Sequence, residues 1–502
     1  MTLITKKLLI SILLVSCISQ LQAKKRTQYF DQSKFKVDFT ITHPTMSADF
    51  IGDANKELLL IGERENKHKI VVLYSRDNTT GSYVLAREIE IPKTTIAFDL
   101  ITDYTNKERI LLLDSQGLSM IDFGRGIVTQ FESMESIYLN PAPQFVTKKE
   151  LVTDVNGDNL DDIIVSGFDK ISLLLQQQTS EFKKIELPIK PTVDMTSEHI
   201  AFSETRIFTF DVNFDRLLDI AVLEDNKLIV YEQTTTGDFL TITNNIKMPV
   251  EVSAVPWWFV RGADGESIDQ SNLQHRMIES IEDINGDKIV DLMIRQTQSS
   301  GVFDRQNNYE IYYGSNLDGQ LNFNSKVDTS ISAEGTLSNL QLIDINNDGR
   351  KEILVSSFDV GVSQIIGALL SGSVDQDVYL FALNSNDIYN KTPLFSEEVD
   401  LNFSLSSGST GQPVILSADL DGDGVKELML SVNEKRLAIY AGEKSDRLLK
   451  TKSKRHKLLL PQDGSMLTSV DLNNDGREEV IVRYGKQDDE ALRNTIIILT
   501  AK

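Results

Sequence analysis

The chain has 502 residues, of which 74 are acidic and 51 are Lys or Arg, so its formal net charge is −23. So acidic a body repels nucleic acid and anionic lipid, and we expect neither as its partner. Cys17 is the single cysteine of the sequence. This excludes a disulfide framework and leaves packing and bound metal to hold an exported domain together.

The first 23 residues are typical of an export signal. Two lysines precede an apolar stretch over residues 8–15, as in a secretory leader. Residues 14–17 (Leu-Val-Ser-Cys) resemble the bacterial lipobox, which implies cleavage before Cys17 and lipidation of that residue. The alternative is an ordinary signal that is cleaved after Ala23.

The expected location follows from this signal. By the same resemblance, Ile18 directly after the cysteine favours the outer membrane. We therefore expect a lipoprotein of the bacterial outer membrane, with a periplasmic or secreted protein as the alternative. No later apolar stretch reaches the roughly 20 residues of a spanning helix, so membrane contact is expected only through the N-terminal lipid. The expected divisions are a signal over 1–16 (alternatively 1–23), a linker over 17–34 and a repeat domain over 35–502.

Residues 35–42 alternate apolar and polar side chains, as a β-strand does. This strand precedes every repeat unit and has no partner nearby, so we expect it to complete the last unit and close a ring. Two acidic turns follow at 49–57 and 99–107, each with Ile at its third position. We interpret them as degenerate copies of the loop described next, which keep its turn without its metal.

After residue 150, one acidic loop recurs six times. Each copy has an oxygen-bearing side chain at positions 1, 3, 5 and 9, and an apolar run follows at once. Calcium takes about 6 to 8 oxygen ligands, which a tight loop supplies from alternate side chains and a backbone carbonyl, here at position 7. The predicted ligands at positions 1, 3, 5, 7 and 9 are Asp154, Asn156, Asp158, Leu160 and Asp162; Asp211, Asn213, Asp215, Leu217 and Asp219; Asp283, Asn285, Asp287, Ile289 and Asp291; Asp344, Asn346, Asp348, Arg350 and Glu352; Asp419, Asp421, Asp423, Val425 and Glu427; and Asp471, Asn473, Asp475, Arg477 and Glu479.

An EF-hand and a simple turn are both less favoured for these loops. An EF-hand needs a Glu at position 12 and flanking helices. Here position 12 is apolar in every copy: Val165, Val222, Ile294, Val355, Leu430 and Val482. Simple turns also use Asp, Asn and Gly, but a turn does not require an acid at position 9. We therefore expect about six bound Ca²⁺ ions, held best by the loop at Asp419, which carries four carboxylates.

The spacing of the loops predicts the fold. Their first residues lie 57, 72, 61, 75 and 52 positions apart, which is typical of structural repeats. Each unit has the pattern of four short strands, and the strand after each loop is almost continuously apolar, as in a sheet covered on both faces. The predicted fold is all-β, a single β-propeller of four-stranded blades. Six loops and two degenerate turns predict eight blades, or seven if one degenerate unit is irregular.

The loop motif and its repetition resemble the FG-GAP or VCBS repeat family, the calcium-loop propeller repeats of integrin α subunits and of many exported bacterial proteins. The resemblance covers nearly the whole mature chain, and it implies the propeller fold and the metal loops. The Phe-Gly and Gly-Ala-Pro segments of the integrin repeats are not recognisable here. The integrin mode of ligand binding is therefore not implied.

Two segments interrupt the blade pattern. Residues 253–264 contain both tryptophans of the chain, Trp257 and Trp258. Adjacent indoles either anchor a protein or sugar partner or pack within their own insert. Residues 360–372 have the apolar spacing of a short helix. We interpret it as packing on the ring, with binding of a partner as the alternative.

The sequence contains no local catalytic signature. Its five histidines are scattered, and none belongs to a zinc-ligand or triad-like pattern. The leading hypothesis is a non-enzymatic, calcium-stabilised propeller that binds an unidentified protein or polysaccharide through the loops of one face. The alternative is a polysaccharide lyase or hydrolase, which needs ionisable side chains converging at the ring centre. A calcium sensor is less favoured, because extracellular-type sites bind at ~10⁻⁴–10⁻³ M and stay filled.

Overall fold

The structure is a computed structural model of the chain. It describes residues 29–502 apart from positions 54, 78, 141, 196–199, 263, 270, 302–303, 334, 359–372 and 405–408. The predicted signal, Cys17 and the predicted helix at 360–372 lie outside the described residues. The described helices are three 3₁₀ turns, Trp257–Phe259, Gly464–Met466 and Glu490–Leu492. None of them is long and apolar enough to cross a bilayer.

The strands form eight antiparallel blades that follow one another along the chain. The first strand, β1 (Phe30–Lys36), belongs to the last blade. The strands of the first four blades, with a separate hairpin before the fourth, are as follows: blade 1, β2 (Thr40–Ile41), β3 (Met46–Ala48), β4 (Glu57–Glu63), β5 (Lys69–Arg76) and β6 (Tyr83–Glu90); blade 2, β7 (Ala97–Thr102), β8 (Glu108–Asp114), β9 (Gly117–Asp122), β10 (Ile127–Ser133) and β11 (Thr147–Lys148); blade 3, β12 (Val152–Thr153), β13 (Asp162–Ser166), β14 (Ile171–Gln176) and β15 (Phe182–Leu187); the hairpin, β16 (Thr192–Met195) and β17 (Ile200–Ser203); and blade 4, β18 (Ile207–Phe210), β19 (Asp219–Glu224), β20 (Lys227–Tyr231) and β21 (Asn244–Lys247).

The remaining four blades follow the same order, with a short hairpin inserted in blade 5. Their strands are as follows: blade 5, β22 (Leu273–Glu282), β23 (Asp291–Gly301), β24 (Asp304–Tyr312), the inserted β25 (Gly314–Leu317) and β26 (Gln320–Phe323), and β27 (Thr329–Ile331); blade 6, β28 (Thr336–Ile343), β29 (Glu352–Phe358), β30 (Ser373–Phe381), β31 (Phe395–Ser404) and β32 (Ser409–Thr410); blade 7, β33 (Ile415–Ala418), β34 (Glu427–Asn433), β35 (Arg436–Tyr440) and β36 (Lys454–Lys457); and blade 8, β37 (Leu467–Val470), β38 (Glu479–Arg483) and β39 (Thr495–Ala501), completed by β1.

The apolar strands are buried because a neighbouring blade covers each of their faces. In β4, Leu58 and Leu60 belong to a cluster shared with blade 8, whereas Leu59 and Ile61 belong to one shared with blade 2. All four are at most 1% exposed. This division follows from the two-residue period of a strand. Among the described residues, eight such clusters lie between the eight pairs of adjacent blades. The prediction of an all-β propeller with eight blades is confirmed.

β1 closes the ring, as the sequence predicted, but it begins earlier than expected. It pairs antiparallel with β39 from Phe30↔Ala501 onward. The predicted strand over 35–42 is divided, because Thr40–Ile41 joins β4 of blade 1 instead. Phe30 explains the earlier start, since its ring is 1% exposed in the cluster between blades 7 and 8. The first strand of the ring therefore begins at Phe30, inside the segment expected to be a linker.

The two degenerate turns differ from each other. The first keeps the full loop length, because Ala48 pairs with Glu57 across it. In the second, Asp99 lies within β7, and the loop is shorter because Thr102 pairs with Glu108. The predicted alignment at 99–107 is therefore wrong.

The blade topology assigns each connection to one of two faces. In a four-stranded antiparallel blade, the first and third connections leave at one end. The second connection and the link to the next blade leave at the other end. The six acidic loops are all first connections, so they share one face, termed the acidic-loop face. The hairpin β16–β17 and residues 253–264, which we term the Trp segment, are links between blades and lie on the opposite face.

Candidate functional site

The six acidic loops share one backbone geometry. Each leaves the first strand of a blade, and its position 9 is the first residue of the second strand. Positions 4 and 6 have a positive φ in all six copies, including non-glycine residues such as Phe214 (59°), Arg216 (72°) and Lys288 (70°). A left-handed residue with a side chain costs roughly 1–2 kcal/mol. A common set of interactions must therefore hold the loops in this form.

These interactions are hydrogen bonds from the loop backbone to the acidic side chains. The carboxylate at position 1 accepts the N–H of position 6 at 2.8–2.9 Å in every copy. The carboxylate at position 5 accepts the N–H of position 7 at 2.8–2.9 Å. The backbone therefore wraps around the two carboxylates and brings them together.

The acid at position 9 anchors each loop to its blade. It is at most 4% exposed in all six copies, and one of its oxygens accepts the N–H of position 2 at 2.8–3.1 Å. In four copies its other oxygen accepts an N–H at or just beyond the end of the third strand, from Gln176, Gln233, Gly314 and Gly442. Each carboxylate oxygen has two lone pairs, so these bonds leave capacity for a cation.

The loop at Asp419 brings together the largest number of acidic oxygens. Carboxylate oxygens of Asp419, Asp421 and Asp423 lie within 4.8 Å of one another, the single such group found in the part of the chain that the structure describes. Where position 3 is Asn, its amide in four copies donates to the position-5 carboxylate at 2.9–3.2 Å. Converging carboxylate oxygens are ligands that Ca²⁺ prefers, so the residues of the Asp419 loop fit the predicted ion.

The side chain of Arg350, at position 7 of the blade 6 loop, has a role that the sequence did not indicate. Only the carbonyl of Arg350 was expected to matter. Its guanidinium donates to the Asp387 carboxylate at 2.6 Å and to the Asn384 carbonyl oxygen at 2.7 Å. Arg350 therefore ties the acidic loop of blade 6 to the connection between the third and fourth strands of the same blade.

The acidic loops also bond to one another across blade boundaries. The N–H of position 8 donates to a carbonyl at position 1 or 2 of the preceding loop. The three pairs are Lys351 to Ile284 at 2.9 Å, Lys426 to Ile345 at 2.8 Å and Glu478 to Asp419 at 2.8 Å. These bonds connect blades 5, 6, 7 and 8 on the acidic-loop face. Each of these loops is therefore tied by a backbone hydrogen bond to the loop of the next blade.

A glycine pair tests this contact between loops. Gly422 and Gly476 both have positive φ, at 77° and 83°, so alanine is strained at either position. A Cβ on Gly422 would lie 3.1 Å from the Gly476 carbonyl oxygen, whereas a Cβ on Gly476 meets nothing within 4 Å. We expect Gly422→Ala to lower the free energy of unfolding by roughly 1 kcal/mol more than Gly476→Ala, because it alone crowds the neighbouring loop. Denaturant titration measures the free energy of unfolding of both variants, and an equal decrease in the two would contradict the contact between the loops.

Burial shifts the titration of the position-9 acids in the metal-free protein. Desolvation raises the pKa to about 7, and at one position to about 6, although the N–H donors oppose it. The acids with a pKa of about 7 are Asp162, Asp291, Glu352 and Glu427, and Asp219 has a pKa of about 6. The same groups have a pKa of about 4 in an unfolded chain. Between about pH 4 and 7, the folded chain therefore binds more protons than the unfolded chain.

This difference predicts how stability depends on pH without metal. The stabilisation from protonation is complete below about pH 4 and is lost as the pH rises through about 7. We expect the Tm in chelator to fall between pH 5 and pH 8. The isosteric variant Asp291→Asn, which lacks one of these titrating groups, should show a smaller fall. A Tm that stays constant or rises over this range would show that the acids are not protonated in the folded state.

The Trp segment lies on the opposite face, between blades 4 and 5. The turn Trp257–Phe259 has no buried residue. The Arg305 guanidinium lies 4.4 Å from the centroid of the Trp257 ring, and Trp258 meets that ring edge-on at 5.4 Å. Trp258 and Phe259 are 48% and 39% exposed. Trp257 therefore supports the segment, and Trp258 is the more available ring for a partner.

The hairpin β16–β17 stands beside this segment and was not predicted. Its register pairs Val193 with Phe202 and Met195 with Ile200. Alternate pairs share one face of a hairpin, so these four side chains form a single apolar face, and they are 41–61% exposed. The alternation of apolar residues in both strands is the sequence signal that could have revealed it.

Arg261 connects the hairpin to the Trp segment. Its guanidinium donates to the Trp258 carbonyl oxygen at 2.9 Å and lies 3.5 Å from the Asp194 carboxylate of β16. Phe168 extends the hairpin face, because its ring meets Phe202 edge-on at 5.1 Å. We term the hairpin face with Phe168 the apolar surface, and its exposed side chains are Phe168, Val193, Met195, Ile200 and Phe202. Trp258 and Phe259 lie on the Trp segment, which meets the hairpin at Asp194, on the other face of β16.

A cavity of about 890 Å³ lies against the first strands of blades 3, 4 and 5, where the channel of a propeller runs. At its wall, Tyr138 and Lys149 both donate to the Glu204 carboxylate, Lys149 at 2.8 Å. Burial acts to raise the pKa of Glu204, but these donors outweigh it and lower the pKa. Burial and Glu204 together raise the pKa of Tyr138. The cluster thus holds an ionised acid and a protonated phenol.

The family comparison agrees with this architecture. Residues 283–355 match the family model of the FG-GAP-like repeat, and comparison with curated proteins gave no match. Similar solved structures are an Agrocybe aegerita lectin that specifically recognises non-reducing terminal N-acetylglucosamine (14% identity over 94% of this chain and 95% of that one, TM-score 0.40), a putative 6-phosphogluconolactonase from Bacteroides fragilis (12%, 81% and 96%, 0.32) and the WD40 domain of SCAP from fission yeast (12%, 94% and 98%, 0.34). At such TM-scores these similarities carry no argument about function. The chain is an eight-bladed β-propeller with an FG-GAP-like repeat at residues 283–355.

Proposed function

We propose that this protein is a calcium-stabilised propeller of the bacterial cell envelope that binds a partner protein through its apolar surface and is not an enzyme. The envelope location rests on the export signal and on the lipobox-like residues before Cys17. In the acidic loops, the side chains at positions 1, 3 and 5 and the carbonyl at position 7 would hold the metal. When bound, Ca²⁺ supplies positive charge among carboxylates that otherwise repel one another.

The apolar surface is the observation that carries the binding role. Monomeric proteins rarely expose large contiguous apolar patches, and such patches mark interaction sites. The hairpin forms a sheet of its own outside the eight blades, and the turn Trp257–Phe259 has no buried residue. Their exposed side chains are aliphatic and aromatic, which suits an apolar protein surface better than the hydroxyl groups of a polysaccharide.

Support for a structural role of calcium comes from the position of the acidic loops. The acidic loops lie on one face, and the apolar surface lies on the opposite face. The loops bond to one another between blades, so metal in one loop would fix the arrangement of its neighbours. The metal therefore stabilises the ring, and the partner contacts a different part of it.

The second candidate function is a polysaccharide lyase or hydrolase, which the cluster of Tyr138, Lys149 and Glu204 in the channel favours. A general base works best when its pKa lies near the working pH. In this cluster the pKa of Glu204 is lowered and that of Tyr138 is raised, so both move away from neutrality. We therefore favour the binding function.

Charged substitutions in the hairpin test the binding function. Met195→Asp with Ile200→Asp places two charges in the apolar surface, at side chains that are 61% and 56% exposed. We expect an unchanged Tm, since no core is disturbed, and at least a roughly tenfold loss of partner binding. The control is Val84→Asp with Leu85→Asp on the outer strand of blade 1, where the side chains are 49% and 57% exposed.

The measurement is affinity purification of each variant from native envelope fractions, followed by quantitative mass spectrometry. A protein enriched with the wild type and the blade 1 control, but not with the hairpin variant, is the expected result. Equal enrichment with all three would contradict a partner site on the hairpin. Turnover of a member of a glycan panel, lost in Glu204→Gln, would favour the enzyme instead.

A further inference from the structure

The outer edge of blade 7 carries a run of positive charge in this acidic protein. Residues 447–457 contain six basic side chains and no acid. The last five of them are exposed: Lys450, Lys452, Lys454, Arg455 and Lys457. In the described part of the chain, none of these five has a carboxylate oxygen within 4.0 Å. We term residues 447–457 the basic edge.

Protection of a free strand edge does not account for this run. Lysines often cover outer strands to prevent edge-to-edge pairing. The outer strand of blade 3 has two lysines, and both are neutralised, Lys183 by Asp238 at 2.8 Å and Lys184 by Glu132 at 3.2 Å. The outer strand of blade 6 carries acids instead. These two edges are therefore protected without unpaired cations, so edge protection alone does not require the positive run of the basic edge.

The basic edge lies where the chain enters the ring. The Lys454 ammonium is 5.0 Å from the centroid of the Tyr29 ring, and Phe30 meets His456 edge-on at 5.2 Å. Tyr29 is the first described residue, and the sequence just before it contains three further cations at positions 24–26. Tyr29 lies twelve positions after Cys17, a length of chain that spans at most about 40 Å. A lipid on Cys17 would therefore keep the basic edge close to a membrane surface.

We infer that the basic edge binds the phosphate-bearing headgroups of an anionic lipid surface. At physiological salt the Debye length is about 8 Å, so acids on distant blades do not cancel the local charge. Each Lys or Arg close to such a surface is attracted to it. The basic edge thus supplies a second contact with the membrane. It is a local exception to the expectation that the acidic body avoids anionic lipid.

The inference is independent of calcium and of the partner site, and vesicle binding tests it. Residues 24–502 contain every described strand and lack the lipid, so any binding comes from the protein surface. The probes are vesicles of phosphatidylcholine alone and vesicles with about 30% phosphatidylglycerol. We expect sedimentation with the anionic vesicles only, weakened about tenfold when salt rises from about 50 to about 300 mM.

Matched charge reversals locate the contact. The triple variant K452E, K454E and K457E is expected to bind anionic vesicles at least tenfold more weakly. The control K93E, K326E and K391E changes the net charge equally at exposed lysines on other blades, and its binding should stay within twofold of the wild type. K450E with K452E lies before β36, so it gives the same test if the triple variant does not fold.

Two results would overturn the inference. One is equal vesicle binding by the wild type and both edge variants. The other is binding to soluble polyphosphate, measured by titration, without any binding to anionic vesicles. That result would assign the edge to a soluble polyanion. Neither result bears on the apolar surface, whose partner is measured separately.

Discussion

The buried carboxylate at position 9 is the interaction on which the acidic-loop face depends. It begins the second strand of its blade, accepts an N–H from the loop, and in four blades accepts another from the end of the third strand or just beyond it. An uncharged apolar residue could not accept these bonds, and an unsatisfied buried N–H costs roughly 1–3 kcal/mol. The acid therefore fixes the shape of the loop, and bonds between loops connect the loops of blades 5 to 8.

This arrangement has an electrostatic cost that a cation would remove. Each loop gathers three or four carboxylates. Desolvation raises the pKa of the buried one, which means that its charged form is disfavoured. The protein as a whole carries a net charge of −23, which opposes compaction. Calcium in the loops would offset both the desolvation of the buried carboxylates and the repulsion between negative charges. The apolar clusters between blades would then have to supply only the cohesion of the ring itself.

The sequence predicted what depends on local periods and missed what depends on distant contacts. Loop spacing and apolar runs were sufficient for eight blades and for closure by the first strand. The start of β1 depends on Phe30 packing between blades 7 and 8, and the different roles of Trp257 and Trp258 depend on Arg305. The apolar hairpin was missed because it lies between repeats, where a search by period does not look. Calcium in the loops, the export signal and the partner stay predictions.

Titration of metal-stripped protein with calcium, by calorimetry together with thermal melting, tests the central claim most directly. We expect uptake of about six equivalents and a large rise in Tm, because metal that binds the folded chain stabilises it by mass action. No uptake, or uptake without a rise in Tm, would contradict a structural role for calcium. The acidic loops would then be turns held by their own hydrogen bonds, and the ring would depend on the packing between blades alone.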